Sequence, residues 1–270
     1  MNLRYILGSA VALPLLPLMY YQGKKIRQQV PKLPEAEGVE GTSKGTNGKT
    51  LRMLTIGEST IAGVGVATHS GGFTGTLANE LSAKLGTDVY WRVYARSGYT
   101  AERIRLKTLP RISESEVDLI VIGLGGNDAF TLNSPTRWKR HIRDLIADLK
   151  KRFRDVPVVF ANMPPIKAFP AFTSLIKFII GNLVEILGDE LTEVVAKSPN
   201  TFCYSRKITV EDWIERLGVE AEPADFFSDG VHPSRLTYQV WARDLANFIT
   251  QNPDLNKSLR QAILDQKEVD

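Results

Sequence analysis

An uninterrupted apolar run near the middle of the chain restricts its possible folds more than any other feature. Residues Val117 to Leu124 read VDLIVIGL and are followed by the letters GGND. A short apolar run rich in β-branched side chains is typical of a central strand in a parallel sheet, where both faces are buried. Shorter runs of this kind lie at 51–57 and 156–161, and residues 89–94 alternate between apolar and polar.

Helical patterns separate these strands. Helices are predicted at 72–85, 134–154 and 172–196, a short strand at 201–204, and a last helix beginning at Ser234. Because strand and helix alternate, the sequence predicts an α/β fold with helices on both faces of a parallel sheet. The chain has 270 residues, of which 43% are hydrophobic, and this suffices for one large domain.

The composition argues against two classes of protein. Cys203 is the single cysteine, which excludes an internal disulfide framework and a cysteine-based metal site. The formal net charge is +4, but five of the 34 basic residues lie in the first 34 positions, which contain no acid. The remaining 29 basic residues face 30 acidic ones, so we expect no nucleic-acid partner.

The first 30 residues predict a membrane anchor. Tyr5 to Tyr21 is an uncharged apolar segment of 17 residues, about 25 Å long as a helix, at the short limit for a membrane span. A cleaved signal peptide is the alternative, but no small-x-small cleavage site precedes Gln22. Because most basic residues follow the segment, the positive-inside tendency predicts a cytoplasmic domain, with a periplasmic or secreted one as the alternative.

Four parts are expected along the chain: an anchor at 1–30, a linker at 31–50, the α/β domain at 51–252 and a polar C-terminal tail at 253–270. The linker contains GTNGKT, which resembles part of a phosphate-binding loop. A phosphate loop follows a strand and opens a helix, whereas this hexapeptide precedes a strand. We therefore do not expect nucleotide binding.

The strand at 51–57 carries a serine to the sheet edge where α/β proteins bind ligands. Ser59 stands two residues after Gly57, in the sequence Gly-Glu-Ser. A serine there can be a nucleophile if a base lies close and backbone N–H groups face the reacting carbonyl. It can also be a helix N-cap, and Ile61 excludes the G-x-S-x-G elbow of α/β-hydrolases.

One of the three histidines stands in a pattern that fits a general base. The sequence DGVHP places Asp229 three residues before His232, just ahead of a helix. A turn there lets Asp229 accept a hydrogen bond from the Nδ1–H of His232 while Nε2 faces a serine. His141 in a basic helix and His69 in a glycine-rich loop are expected to face solvent.

The motifs follow one another in a defined order: Gly-Glu-Ser, a lone glycine after the second strand, Gly-Gly-Asn-Asp after the third, and Asp-x-x-His-Pro near the carboxyl end. Together they resemble the SGNH (GDSL-type) hydrolase family over about residues 51–250. The resemblance implies that Ser59 is the nucleophile, His232 the base and Asp229 its partner. It implies an oxyanion hole formed by the N–H groups of Ser59 and Gly98 and the side chain of Asn127.

The family also implies a flavodoxin-like three-layer α/β/α sandwich with about five parallel strands. Its members hydrolyse esters or thioesters, and we expect neither a cofactor nor a metal. One departure from the family pattern is Glu58, where the family usually has aspartate. The longer carboxylate is expected to alter contacts that brace the serine turn and to stay outside the proton path.

The nearly all-apolar helix at 172–196 is either buried against the sheet or one wall or lid of an acyl-chain pocket. With the anchor, it favours lipid-like esters. We therefore expect a membrane-associated serine esterase or lipase, whose partners are a small-molecule or lipid ester and the membrane. An acyltransferase of the same fold is the alternative, followed by an inactive membrane-anchored binding protein. The sequence does not indicate an oligomeric state.

Overall fold

A single six-stranded sheet organises the computed structural model, which describes residues 2–207, 209–218 and 220–265. In chain order its strands are β1 (Glu40–Ser43), β2 (Thr50–Gly57), β3 (Asp88–Ala95), β4 (Leu119–Gly123), β5 (Val158–Phe160) and β6 (Thr201–Cys203). Their order across the sheet is β1-β3-β2-β4-β5-β6. Strands β2 to β6 run parallel, whereas β1 pairs antiparallel with β3.

Helices cover both faces of this sheet. They are α1 (Leu3–Gln29), α2 (Phe73–Leu85), α3 (Ala101–Arg103), α4 (Gly126–Phe130), α5 (Pro135–Phe153), α6 (Ser174–Val195), α7 (Val210–Leu217), α8 (Arg235–Gln251) and α9 (Pro253–Leu264). Ile120 and Ile122 of β4 pack into the core that contains α5 and α6, whereas Leu119 and Val121 pack into the core that contains α2 and α8. This alternation buries β4 on both faces, and it confirms the predicted α/β/α sandwich with five parallel strands.

The prediction of a linker at 31–50 is wrong for residues 40–43, because they form β1. The sequence EGTS has little strand propensity, so the pattern alone does not reveal it. The strand forms because the open edge of β3 supplies backbone partners. A Cβ on Gly41 would lie 2.5 Å from the ring of Trp91, so glycine lets the tryptophan pack over the strand.

The hexapeptide GTNGKT forms the connection between β1 and β2. The Gly45 N–H donates to the Asp88 carboxylate at 2.7 Å, and Thr46 and Asn47 donate through their N–H groups to the carbonyl of Gly86. These bonds hold it as a structural turn between strands. It does not have the strand-to-helix geometry of a phosphate loop.

The prediction of a polar tail at 253–270 is wrong for residues 253–264, which form α9. The side chain of Asn252 caps this helix by accepting from the Leu255 N–H. Leu255, Leu259 and Ile263 follow at intervals of four and are buried in the core that contains α2 and α8. The composition of this segment suggests a polar tail, but three apolar residues on one side are enough to pack it against the domain as a helix. Residues 266–270 lie outside the described part of the chain.

Helix α1 lies along α6 in the opposite direction. Near one end Arg4 and Asp189 form an ion pair at 3.0 Å, and near the other Thr173 Oγ1 donates to Gln22 Oε1 at 2.6 Å. The helix has 27 residues with a mean hydropathy of 1.4 over its apolar window, and only 6% of that window is buried. By length and composition it could be a membrane anchor or a signal sequence.

Candidate active site

Ser59 lies in the turn directly after β2, at the carboxyl edge of the sheet. A Cβ on Gly57 would lie 2.2 Å from the carbonyl oxygen of Gly123, so only glycine fits where β2 ends against β4. After the serine the chain continues in tight turns, and the Val64 N–H donates to the Ser59 carbonyl at 3.1 Å. The turn is therefore fixed through its backbone, while Ser59 itself is only half-buried.

Asp229 and His232 form a hydrogen-bonded pair on the loop before α8. His232 Nδ1 lies 2.8 Å from Asp229 Oδ2, and Oδ1 accepts from the backbone N–H groups of His232 at 2.7 Å and Val231 at 2.9 Å. The Asp229 side chain is 0% exposed, whereas that of His232 is 25% exposed. Burial alone would raise the pKa of Asp229, but the hydrogen bonds from His232 and Val231 outweigh it and lower this pKa. The ionised carboxylate holds the ring with Nε2 available for a proton.

The histidine loop packs directly against the loop that follows Ser59. Ser228 Oγ donates to the carbonyls of Pro233 at 2.7 Å and Gly65 at 3.3 Å. A Cβ on Gly65 would lie 2.4 Å from the Pro233 carbonyl oxygen, so this close approach requires glycine. Ser59 and His232 share no direct hydrogen bond among the described residues, and catalytic hydrogen bonds often tighten only when substrate binds.

Asn127 lies at the start of α4, and its side-chain amide already has two acceptors. Asn127 Nδ2 donates to Glu58 Oε2 at 2.5 Å and to the Tyr99 carbonyl at 3.1 Å. Glu58 also accepts the backbone N–H groups of Gly126 at 2.9 Å and Asn127 at 3.0 Å. The sequence predicts that Glu58 alters the contacts that brace the serine turn. In the structure its carboxylate instead binds the side-chain amide of Asn127 and the backbone N–H groups at the start of α4.

Gly98 lies on the loop after β3, which contacts both the serine strand and Asn127. The Arg96 N–H of this loop donates to the Gly57 carbonyl at 3.1 Å, and Tyr99 provides the carbonyl that accepts from Asn127. Gly98 has a φ of +79°, in the region that favours glycine, and it is exposed. Within the described part of the chain, the N–H groups of Ser59 and Gly98 donate to no protein acceptor.

Two buried carboxyl groups lie next to Asn127 and the loop of Gly98. Burial raises the pKa of Glu58 to about 7, against the hydrogen bonds from Asn127 and Gly126 that lower it. Burial likewise raises the pKa of Asp128 to about 6. Asp128 accepts from the Ala101 N–H at 2.8 Å and from Asn133 Nδ2 at 2.7 Å, so it ties the loop of Gly98 to α4.

The prediction that His69 and His141 face solvent is wrong, since they are 3% and 5% exposed. Burial lowers the pKa of His69 to about 4, despite the opposing charge of Glu35, and burial also lowers the pKa of His141. Both histidines lie in segments with polar or small neighbours, so the local sequence does not indicate that their side chains are buried in the folded protein. Among the described histidines, His232 is the one within hydrogen-bond distance of a carboxylate.

Four phenylalanines form a cluster beside these loops. The ring centroids of Phe130 and Phe172 are 5.3 Å apart, those of Phe169 and Phe172 5.5 Å, and those of Phe169 and Phe227 5.4 Å. Phe130 lies on α4, the helix of Asn127, and Phe227 lies two residues before Asp229. Eleven of the 22 residues of α6 are buried, and nearly all of its apolar side chains are among them, so of the two alternatives for 172–196 the buried one describes the helix. The segment just before it borders the site.

A narrow apolar cavity adjoins the serine turn. Its volume is about 40 Å³, and its walls include Thr60, Phe169, Phe226, Pro233 and Trp241. Among the described residues, no group of three His, Cys, Asp or Glu side chains could hold a metal ion.

The GDSL-like Lipase/Acylhydrolase family model matches residues 55–240, which include every residue of this site. The chain belongs to this family. As a GDSL-like hydrolase it is an enzyme of the esterase and lipase class, and its substrate is a small-molecule ester. No curated protein matches the chain.

Solved structures share the fold of this GDSL-like hydrolase at low sequence identity. The crystal structure of TesA is 22% identical with a TM-score of 0.54, and the match covers 75% of this chain and 98% of TesA. A lipase/acylhydrolase from Enterococcus faecalis is 20% identical with a TM-score of 0.54, covering 74% and 96%. A family 3 carbohydrate esterase from Clostridium thermocellum is 17% identical with a TM-score of 0.55, covering 80% and 100%. These similarities support the three-layer fold.

The sequence motifs missed two contributors to the site of this GDSL-like hydrolase. Glu58 is visible only as a departure from the family pattern, and its hold on Asn127 depends on the distance between two loops. The aromatic cluster combines residues from three separate segments. A pattern signal existed only for Asp128, since it belongs to the Gly-Gly-Asn-Asp motif.

Proposed function

We propose that this hydrolase cleaves carboxylic esters through an acyl-enzyme on Ser59, with His232 as general base and Asp229 as its partner. The observation that carries the proposal is the buried Asp229 carboxylate, which holds His232 Nδ1 at 2.8 Å on a loop packed against the serine loop. A buried, ionised acceptor of this kind fixes the ring and stabilises the imidazolium that forms during catalysis.

The chemistry needs two rounds of proton transfer. His232 Nε2 takes the proton of Ser59 Oγ as the oxygen attacks the ester carbonyl, and the imidazolium then gives that proton to the leaving alkoxide. A water molecule next loses a proton to His232 and attacks the acyl-enzyme, which releases the acid and returns the proton to Ser59. Both tetrahedral intermediates carry an oxyanion, for which the N–H groups of Ser59 and Gly98 are available donors.

Asn127 is the third proposed oxyanion donor, and it can act only by exchanging partners. Both hydrogens of its amide already donate, one to Glu58 and one to the Tyr99 carbonyl. An oxyanion is a stronger acceptor than a neutral carbonyl. We therefore infer that the bond to Tyr99, at 3.1 Å, is the one exchanged, while Glu58 retains the other.

Esters with an apolar acyl chain suit this site best. The cavity of about 40 Å³ beside the serine turn is lined by apolar side chains that include Phe169 and Phe226, and a longer chain would lie along the rings of Phe130 and Phe172. Phe130 is 41% exposed and Leu132 is 41% exposed, which leaves this surface open to a ligand. Lipid-like esters are therefore the proposed substrate class.

Substrate class and reaction type can be tested together with the full-length chain in detergent. A panel of p-nitrophenyl esters and lysophospholipids is assayed with the wild type, with Ser59→Ala and with Ser115→Ala as a matched control on the exposed segment before β4. We expect hydrolysis by the wild type and the control, and none by Ser59→Ala. A product formed only when a sugar or lipid hydroxyl is added would indicate an acyltransferase instead.

The proposed location is the cytoplasmic face of a membrane, with α1 as anchor. Lys24, Lys25, Arg27 and Lys32 follow the apolar segment, and Arg4 precedes it. Reporter fusions at the carboxyl terminus test this directly. A fluorescent-protein fusion should be bright and an alkaline phosphatase fusion inactive; the reverse pattern would place the domain outside.

A further inference from the structure

The side of α1 that faces the domain carries a seven-residue repeat. The residues of α1 and its cap that are buried or half-buried at this spacing are Tyr5, Ser9, Ala12, Leu16, Met19, Gly23, Ile26 and Val30. Such a repeat is the pattern of two helices packed lengthwise. Met19 and Ile26 belong to the same buried core as α6, so α1 is docked on the domain along its length.

The opposite side of α1 is also apolar, and it is uncovered. Leu3, Leu7, Val11 and Leu18 are 67%, 61%, 48% and 48% exposed. Phe178 of α6, the helix on which α1 docks, is also 57% exposed. A soluble monomer rarely exposes a continuous apolar surface of this length, and such surfaces mark a membrane or a partner.

The ends of this surface favour a lipid bilayer as the occupant. Tyr20 and Tyr21, which are 76% and 66% exposed, follow the apolar part of the helix, and Lys24, Lys25 and Arg27 come directly after them. Tyrosines next to basic residues are the arrangement found at the boundary between lipid and water, and the positive charge complements anionic lipid. No acidic residue lies in α1 to oppose this attraction.

The polar contacts of the docked helix are incompatible with a membrane span in this arrangement. Asn2 Nδ2 donates to Glu190 Oε1 at 3.2 Å, and Arg4 pairs with Asp189 at 3.0 Å. Together with the Gln22–Thr173 bond, these contacts hold α1 along α6, so a docked α1 that crossed the bilayer would carry Lys177 and Glu185 of α6 into hydrocarbon, at a cost of several kcal/mol. A helix that lies in one leaflet keeps them in water and still buries its outer side in lipid.

The carboxyl end of α1 lies beside the rim of the active site. Gln22 accepts a hydrogen bond from Thr173, the neighbour of Phe172, and Phe172 packs on Phe130 of α4, the helix that begins beside Asn127. We propose that α1 stays docked on α6 and binds one leaflet of an anionic bilayer through its outer side. Ester lipids then reach Ser59 past Phe130 and Phe172 without leaving the membrane. Only the hydrolysis step rests on the proposed function.

A cross-link between α1 and α6 tests whether the docked helix is the membrane-bound form. Gln22→Cys with Thr173→Cys is joined by a short bismaleimide at pH 7 in the full-length chain. Cys203 is a half-buried free thiol, so both substitutions are made in a Cys203→Ser background. The joined protein should bind phosphatidylglycerol vesicles as tightly as the unjoined one, and about tenfold or more tighter than phosphatidylcholine vesicles. Loss of binding on joining would show that α1 must leave the domain, and would overturn the proposal.

Substitutions on the outer side test the surface itself. Leu7→Lys with Leu18→Lys should weaken vesicle binding about tenfold or more, because two charges replace buried apolar side chains. Leu106→Lys with Leu264→Lys, at residues that are 54% and 66% exposed elsewhere, is the matched control and should bind normally. Hydrolysis of p-nitrophenyl acetate is measured for every variant. A protein inactive on this ester that still binds vesicles would refute the proposed function alone. Normal binding by the Leu7/Leu18 variant, or a dimer instead of vesicle binding, would refute the docking surface.

Discussion

The two sides of the active site differ in how completely the protein has arranged them. On the base side, Asp229 is buried, ionised and directed by three hydrogen bonds to the residues it orients. On the oxyanion side, the N–H groups of Ser59 and Gly98 are unpaired among the described residues, but the amide of Asn127 is occupied by Glu58 and Tyr99. The proposed base is therefore ready before substrate arrives, whereas one of the proposed oxyanion donors must exchange a partner.

This difference implies separate energetic roles for the two sides. Removing a member of the base side should abolish catalysis, because nucleophile, base and carboxylate act as one unit. Removing Asn127 should cost only its own hydrogen bond, because two backbone donors remain. Changing Glu58 should alter the strength of the hydrogen bond from Asn127 without affecting proton transfer through His232.

Ser59→Ala or His232→Ala should lower kcat for a p-nitrophenyl ester by about 10³ to 10⁶. The nucleophile or its base is lost in each variant, so the acyl-enzyme no longer forms. Steady-state assays of the full-length chain measure the effect, with circular dichroism to show that each variant is folded. An alanine variant at Ser59 that retains more than a tenth of the wild-type kcat would contradict the assignment.

Asp229→Asn should lower kcat less than removal of the histidine, by about 10² to 10⁴. The asparagine can still accept the backbone N–H groups of Val231 and His232, so the loop remains folded, but the ring loses its charged partner. The same assay measures this change. Activity equal to the wild type would mean that Asp229 only shapes the loop.

Asn127→Ala should lower kcat by about 10² to 10³ with little change in KM, because its bond to the oxyanion strengthens only in the transition state. Initial rates over a range of ester concentrations separate the two constants. If KM rises and kcat stays constant, Asn127 positions the substrate and does not stabilise the oxyanion.

Glu58→Asp and Glu58→Gln should each lower kcat, by up to about tenfold. The shorter aspartate cannot hold both the backbone of Gly126 and the side chain of Asn127, so the amide that donates to the oxyanion is less well oriented. Glutamine presents an NH₂ group to N–H donors that need an acceptor. The pair is assayed side by side with the wild type, and equal rates for all three would show that Glu58 does not control Asn127.

Glu58 should also give the fold a pH dependence. Its pKa is about 7 in the folded protein, because burial raises it from 4.5. The folded state therefore holds this proton more tightly than the unfolded state, and the stability it contributes is lost as pH rises from about 4.5 to about 7. The loss is on the order of 3 kcal/mol.

Urea unfolding of the wild type and of Glu58→Gln at several pH values in this range checks the predicted loss. The free energy of unfolding should fall more steeply with rising pH in the wild type than in the variant. The pKa of about 4 for His69 acts oppositely in this range, so the variant must be measured in parallel. Parallel slopes would contradict the prediction.

Features with a local pattern could be predicted from the sequence, and features that depend on contact between distant segments could not. The strands at β2, β4 and β5 follow from apolar runs, and the Asp229–His232 pair follows from a three-residue spacing. β1 was missed because its pairing depends on the edge of β3. The burial of His69 and the reach of Glu58 to Asn127 were missed because both depend on loops meeting in three dimensions.

The central claim is that Ser59 is a nucleophile activated by the Asp229–His232 pair, and covalent labelling tests it most directly. The wild type, Ser59→Ala and His232→Ala are incubated with a p-nitrophenyl phosphonate, and the labelled peptide is identified by mass spectrometry. We predict one adduct per wild-type chain, on Ser59, about 10³-fold slower labelling of His232→Ala, and no adduct on Ser59→Ala. An adduct on another residue, or equal labelling rates with and without His232, would contradict the account.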